Sequence, residues 1–128
     1  MIERIFPSES PTPRGAYSPA VRAGDFIFVS GQGPVDPVTD KLVAGDVEMQ
    51  TRLTLSNIAR ILKACGATME DVVKCGVFLR DISDFKRMNG VYAEFFPKDR
   101  PARTTIEAKF HHAEMLVEID CMAYKPLK

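Results

Sequence analysis

The chain has 128 residues, with 17 Lys+Arg against 17 Asp+Glu, 45% hydrophobic and 27% charged residues. That length reads as one domain over residues 1–128 with a core of its own, and the near-average composition excludes a disordered tail, a coiled coil and a low-complexity segment. The balanced charge argues against a nucleic-acid partner, no apolar run approaches the roughly 20 residues of a membrane helix, and Met1-Ile2-Glu3-Arg4 lacks a signal-peptide pattern, so a cytoplasmic protein is expected.

In chain order, Ile2–Phe6 and Ala20–Ala23 are weak strand candidates, separated by a segment carrying Pro7, Pro11, Pro13 and Gly15. Phe26-Ile27-Phe28-Val29-Ser30 is a short apolar run ending at Gly31. Gly31, Gly33, Pro34, Pro37 and Gly45 then mark a long loop, and a long loop in so small a chain is often a working one. Asp46 can cap a helix running from about Val47 to Cys65, with Leu55, Ile58, Leu62 and Cys65 at helical spacing, Thr51, Thr54 and Ile61 beside them, and Gly66 as its stop. Val72 to Leu79 is apolar on both parities and reads as a central strand covered on both faces. A second helix is expected from about Asp84 to Phe96, capped by Ser83, with the stripe Phe85, Met88, Tyr92 and Phe95, and ended by Pro97.

Two strands follow. Thr104, Ile106, Ala108 and Phe110 alternate with Arg103, Thr105, Glu107 and Lys109; Val117, Ile119, Cys121 and Ala123 alternate with Leu116, Glu118, Asp120 and Met122. The short segment around His111–Glu114 suggests that they form a hairpin. The order of strands, helix, strand, helix and strands favours an α+β fold, one mixed sheet with two helices on one face. The other face then lacks a cover. Met122, Leu116 and Thr105, assigned to it among charges, suggest self-association.

Few residues suggest chemistry by themselves. Arg103 offers a planar fork that matches a carboxylate, although taken alone it reads more readily as a surface ion pair. Glu118, between Val117 and Ile119, is either a part-buried general acid or base with a raised pKa or a solvent-facing strand residue. Ser30-Gly31-Gln32 closes a strand and can hold a small anion or a water, or be an ordinary turn. Tyr17 either packs on the sheet or aims its phenol into a pocket. His111-His112 are poor joint metal ligands, because adjacent strand residues point to opposite faces, and read better as a hairpin tip. Cys65, Cys75 and Cys121 are odd in number and show no CxxC, so they suggest neither a disulfide framework nor a zinc site and read as small buried hydrophobes.

Taken together, the residues resemble the reactive intermediate deaminase family, also called the YjgF-like or translation-inhibitor L-PSP family. The resemblance rests on Gly15-Ala16-Tyr17-Ser18-Pro19-Ala20, Val29-Ser30-Gly31-Gln32, Gln50–Asn57, Val72–Leu79, Asn89-Gly90-Val91-Tyr92, Pro101-Ala102-Arg103 and Val117-Glu118-Ile119, in the family's order over nearly the whole chain. It implies a chorismate-mutase-like α+β fold and a homotrimer with clefts between subunits. It also implies hydrolysis of 2-imino acids, the tautomers of enamines such as 2-aminoacrylate, to 2-oxo acids and ammonia without cofactor or metal. Arg103 falls on the family's active-site Arg, Glu118 on its water-holding Glu, Ser30 and Tyr17 on its Ser and Tyr, Asn89 on its interface Asn, and Gly31 on its backbone donor to the ligand carboxylate. Two departures stand out. Thr105 replaces a Cys common in relatives, leaving a hydroxyl and a backbone N–H as its ligand contacts, and His111-His112 stands where many members carry an aliphatic residue and Pro. A non-catalytic carboxylate sensor is the alternative function. RNA cleavage, attributed to some relatives, fits poorly with zero net charge.

Overall fold

The computed structural model describes residues 1–127. Its longest element, helix α1 (Val47–Ala64), starts where expected: the Asp46 carboxylate accepts the Met49 N–H at 2.8 Å. It ends at Gly66, whose φ of 81° only glycine adopts at little cost. There the Ala67 N–H donates to the Leu62 carbonyl at 2.8 Å and the Gly66 N–H to the Lys63 carbonyl at 3.0 Å, the paired bonds of a left-handed helix cap. Leu55, Ile58, Ile61 and Leu62 are at most 1% exposed, so the apolar stripe of α1 faces the core.

Six strands form one sheet: β1 (Ile2–Ile5), β2 (Ala20–Ala23), β3 (Phe26–Gln32), β4 (Val72–Leu79), β5 (Ala102–Glu107) and β6 (Val117–Tyr124), in the order β1-β2-β3-β6-β4-β5. All neighbours are antiparallel except β4 and β5. Helix α1 lies against β3 and β6, and α2 (Phe85–Phe95) packs beside α1. The exposed pairs Arg52–Glu94 (2.6 Å) and Arg87–Glu48 (2.5 Å) link outlying residues of the two helices and contribute little. Ile27, Val29, Cys75, Val77, Leu79, Val117, Ile119, Cys121 and Ala123 point from the sheet into the same core. The expected α+β fold, a mixed sheet with two helices, is present.

Four local expectations are corrected. The last two strands do not form a hairpin: β6 inserts between β3 and β4, while β5 lies at the sheet edge, parallel to β4. A parallel pair needs a long crossover, and α2 supplies it, so β5 is placed by the helix before it rather than by the short turn after it. Consequently the faces of β5 are exchanged. Arg103 and Thr105 register with Cys75 and Val77 on the helix side, while Ile106, expected inside, registers with Phe78 on the open side and is 47% exposed. Thr105 therefore does not belong to the uncovered face, and Leu116 packs against the core. Strand β4 is central but covered on one face: Val73 is 45% exposed, and an irregularity between Val72 and Lys74 resets the alternation. Ser83 does not cap α2. It sits in a short 3-10 turn, Ile82–Asp84, and gives its N–H to the Asp81 carboxylate at 2.9 Å.

The open face is half apolar, as anticipated, though largely through other residues. Phe26, Phe28, Met122 and Tyr124 stand on it, with the rings of Phe26 and Tyr124 edge to face at 5.2 Å.

Candidate functional site

The residues singled out in the sequence fall into two groups on opposite faces of the sheet. Arg103 registers with Cys75 on β4, and Glu118 registers with Phe78. Side chains alternate along a regular strand, so positions three apart point to opposite faces. Arg103 and Glu118 thus do not meet within one chain.

On the open side, Glu118 of β6 borders a cavity of about 270 Å³, shared with Tyr17, Gly31, His111, His112 and Lys109. Gly31 and Glu118 are packed together so closely that a Cβ at Gly31 would lie 2.9 Å from the Glu118 Cδ and nearer still to Oε2. Any side chain at Gly31 would have to push the Glu118 carboxyl aside. Burial pushes the Glu118 carboxyl up, the Asp120 charge pushes it further, and His111 opposes both. Asp120 itself accepts the Gly76 N–H at 3.0 Å. Glu118 makes no ion pair among the described residues. Tyr17 turns its phenol oxygen to the cavity rim, where it accepts the Arg14 N–H at 3.2 Å. Ser30 is adjacent in sequence, but its hydroxyl donates to the Ser18 carbonyl at 2.7 Å and is already engaged.

On the helix side, Arg103 of β5 is held by three neighbours. Its Nη1 donates to the Asn89 Oδ1 at 2.8 Å, and its guanidinium lies 4.6 Å from the Tyr92 ring centre and 5.3 Å from that of Phe85. It has no carboxylate partner among the described residues. Asn89, Tyr92 and Arg103 line a groove with Arg100 and Pro101. The Thr105 Oγ1, on the same face, is buried and without a hydrogen-bond partner among the described residues.

Sequence reasoning missed the residues that build the cavity rim. Gln50, fully buried in the first turn of α1, donates to the Val43 and Glu114 carbonyls at 3.2 and 2.8 Å and accepts the Leu116 N–H at 2.7 Å. Asn57, also fully buried, donates to the Val35 carbonyl at 2.8 Å. Arg80 donates to the Met115 and His112 carbonyls at 2.8 and 2.6 Å. These bonds fasten the loop after β3 and the segment before β6 to the frame. The signal available was amide side chains set among apolar positions of a helix, where an unpartnered amide would be costly. His111 and His112 belong to this rim rather than to a hairpin tip; their ring centres are 6.3 Å apart. Cys75 and Cys121 are buried and face each other across β4 and β6, and desolvation raises both thiols, which makes them poor nucleophiles.

The endoribonuclease L-PSP family model matches residues 7–125. A RutC family protein of Pyrococcus horikoshii is 46% identical over 98% of this chain and 99% of its own length. The 3-aminoacrylate deaminase RutC of Acinetobacter baylyi is 38% identical over 95% of this chain and 97% of its own. The crystal structure of Escherichia coli TdcF with bound serine superposes with a TM-score of 0.89 at 32% identity, covering 96% of this chain and 98% of that one. With the same sheet, the same helices and near full-length matches, the chain belongs to the endoribonuclease L-PSP family of RutC-type proteins.

Proposed function

We propose that the protein hydrolyses 2-imino acids, the tautomers of enamines such as 2-aminoacrylate, to 2-oxo acids and ammonia, and that it does so in clefts between the subunits of a homotrimer. The observation that carries this reading is the state of Arg103. A guanidinium oriented by Asn89 and two aromatic rings, yet without a carboxylate among the described residues, is prepared for a carboxylate that comes with a ligand. Because Glu118 lies on the other sheet face, a site using both residues takes Arg103 from one protomer and Glu118 from its neighbour. The exposed Phe26, Phe28, Met122 and Tyr124 supply an apolar surface for such an assembly.

The chemistry needs little apparatus, because the imine carbon is already electrophilic. Arg103 binds the substrate carboxylate and fixes the imine carbon near a water at Glu118. A carboxyl whose pKa is raised is suited to take a proton from that water as its oxygen bonds to the imine carbon, and to return it to nitrogen. The carbon–nitrogen bond then breaks, ammonia leaves and a carbonyl remains, with no electrons gained or lost. The Gly31 backbone, Tyr17, Ser30 and Thr105 are candidate further contacts, and Asn89 orients the arginine. The similarity to the Acinetobacter 3-aminoacrylate deaminase supports the reaction class.

The test is to add the protein to a serine or threonine dehydratase reaction and follow semicarbazone trapping of the imine. Faster imine decay is expected. Binding of 2-oxobutyrate without any acceleration would leave a carboxylate sensor in place of an enzyme.

A further inference from the structure

The cavity over Glu118 differs in charge from the chain as a whole. The chain carries equal numbers of acidic and basic residues. The cavity lining holds Arg14, Lys109, His111 and His112, with Glu118 as the one carboxylate there among the described residues. Lys109, His111 and His112 take part in no ion pair among the described residues. Arg14 gives part of its guanidinium to the Asp40 carbonyl. These four side chains stand on two separate segments, the loop before β2 and the stretch between β5 and β6, and converge on one space. They are also on the Glu118 side of the sheet, away from the Arg103 of the same protomer.

On the hydrolase reading above, the carboxylate next to the imine carbon is bound by Arg103. The cationic and N–H donors around Glu118 then remain for a different part of the substrate. We propose that this protein prefers 2-imino dicarboxylates, imines whose side chain ends in a second carboxylate, and that Lys109, His111 and His112 determine that preference. A space of about 270 Å³ fits a metabolite rather than a drug-sized ligand. Lysine contributes a full charge, and each imidazole offers an N–H donor whether neutral or protonated. The reaction is unchanged: water adds to the imine carbon, the carbon–nitrogen bond breaks, and a 2-oxo dicarboxylate and ammonia result.

The experiment generates imines in place with amino-acid oxidases, from aspartate or glutamate in one arm and from alanine in the other, and measures kcat/KM for each. The parent protein should favour the dicarboxylic imines by about tenfold or more, the scale of one charge-assisted bond. Lys109 and His111 are exposed, so the double variant Lys109→Gln, His111→Gln should fold, as circular dichroism will verify. In it the ratio of dicarboxylic to monocarboxylic kcat/KM should fall about tenfold. An equal loss on both substrates, with the ratio unchanged, would overturn the proposal, as would a parent that prefers the alanine imine. If neither imine is hydrolysed, the hydrolase reading fails along with it. A further arm adds a short RNA oligonucleotide and, separately, inorganic phosphate. Binding of RNA in the parent that is lost in the double variant, with no dicarboxylate preference, would make the cluster a nucleic-acid contact and contradict the proposal. The product analogues 2-oxoglutarate and 2-oxobutyrate give an equilibrium version of the comparison, with tighter binding of 2-oxoglutarate expected.

Discussion

Replacing Gly31 by alanine tests the geometry of the Glu118 site with a single methyl group. The backbone there has no positive φ, so alanine is sterically allowed on conformational grounds. The added Cβ would lie 2.9 Å from Cδ of Glu118. Ordinary contact begins at 3.4 Å and Oε2 lies nearer to that Cβ than Cδ does, so the carboxyl group must swing aside by well over half an ångström. Because Glu118 is a flexible side chain with an open cavity beside it, the retreat costs about 0.5–1.5 kcal/mol as an off-rotamer displacement. Catalysis is far less tolerant, since a misplacement of about 1 Å can cost on the order of a hundredfold. Gly31→Ala should therefore lower kcat/KM for imine hydrolysis by roughly ten- to a hundredfold while melting within a few degrees of the parent. Steady-state rates from coupled dehydratase assays, together with calorimetric melting, measure both. In the background of Glu118→Gln the same glycine substitution should add little, because the group it displaces has already lost its function. Full activity in Gly31→Ala would refute the placement of Glu118 at the reacting water.

Glu118→Gln should raise Tm at pH 7 as well as lower turnover. A folded carboxyl pKa above its unfolded value makes the ionised form unfavourable in the folded state, so stability falls as pH rises from the unfolded pKa through the folded one; the gain should be present at pH 7 and vanish near pH 4, as melting across that range will show. Thr105→Val removes a buried hydroxyl that has no partner, so chemical denaturation should give a variant about 1 kcal/mol more stable, with activity only modestly reduced because the backbone N–H stays; Thr105→Cys should keep activity. Leu62→Ala, at a fully buried core position of α1, should cost about 2–5 kcal/mol in the same denaturation experiment.

The parts of the fold that were legible are those governed by local chemistry. Asp46 and Gly66 mark the ends of α1 because capping bonds involve neighbours a few residues away. The open apolar face also followed, since two short helices cannot cover both sides of a sheet. The position of β5 was not legible. Its alternation is genuine, but alternation does not say which parity faces the core, and the pairing with β4 rather than β6 is set by the α2 crossover. That exchange of faces is what separates Arg103 from Glu118, so the division of the candidate site between two faces was invisible until the register was known. The individual site residues came from a family resemblance carried by short motifs. The anchoring roles of Gln50, Asn57 and Arg80 depend on carbonyls brought near by folding and left no motif of their own.

The most direct measurement mixes two inactive variants. Arg103→Ala removes the proposed carboxylate clamp, and Glu118→Gln removes the proposed proton acceptor. Each alone should hydrolyse imines poorly, and Arg103→Lys should also be poor because an ammonium cannot reproduce the planar fork. Unfolded together at equal concentrations and refolded into mixed oligomers, which light scattering should report as trimers, they should regain activity. A cleft is intact when its arginine comes from one variant and its glutamate from the other. Random assortment makes that true of roughly a quarter of the clefts, so roughly a quarter of the parental rate is expected from a site shared between protomers. A mixture that forms the same oligomers and stays as inactive as its components would contradict the shared site.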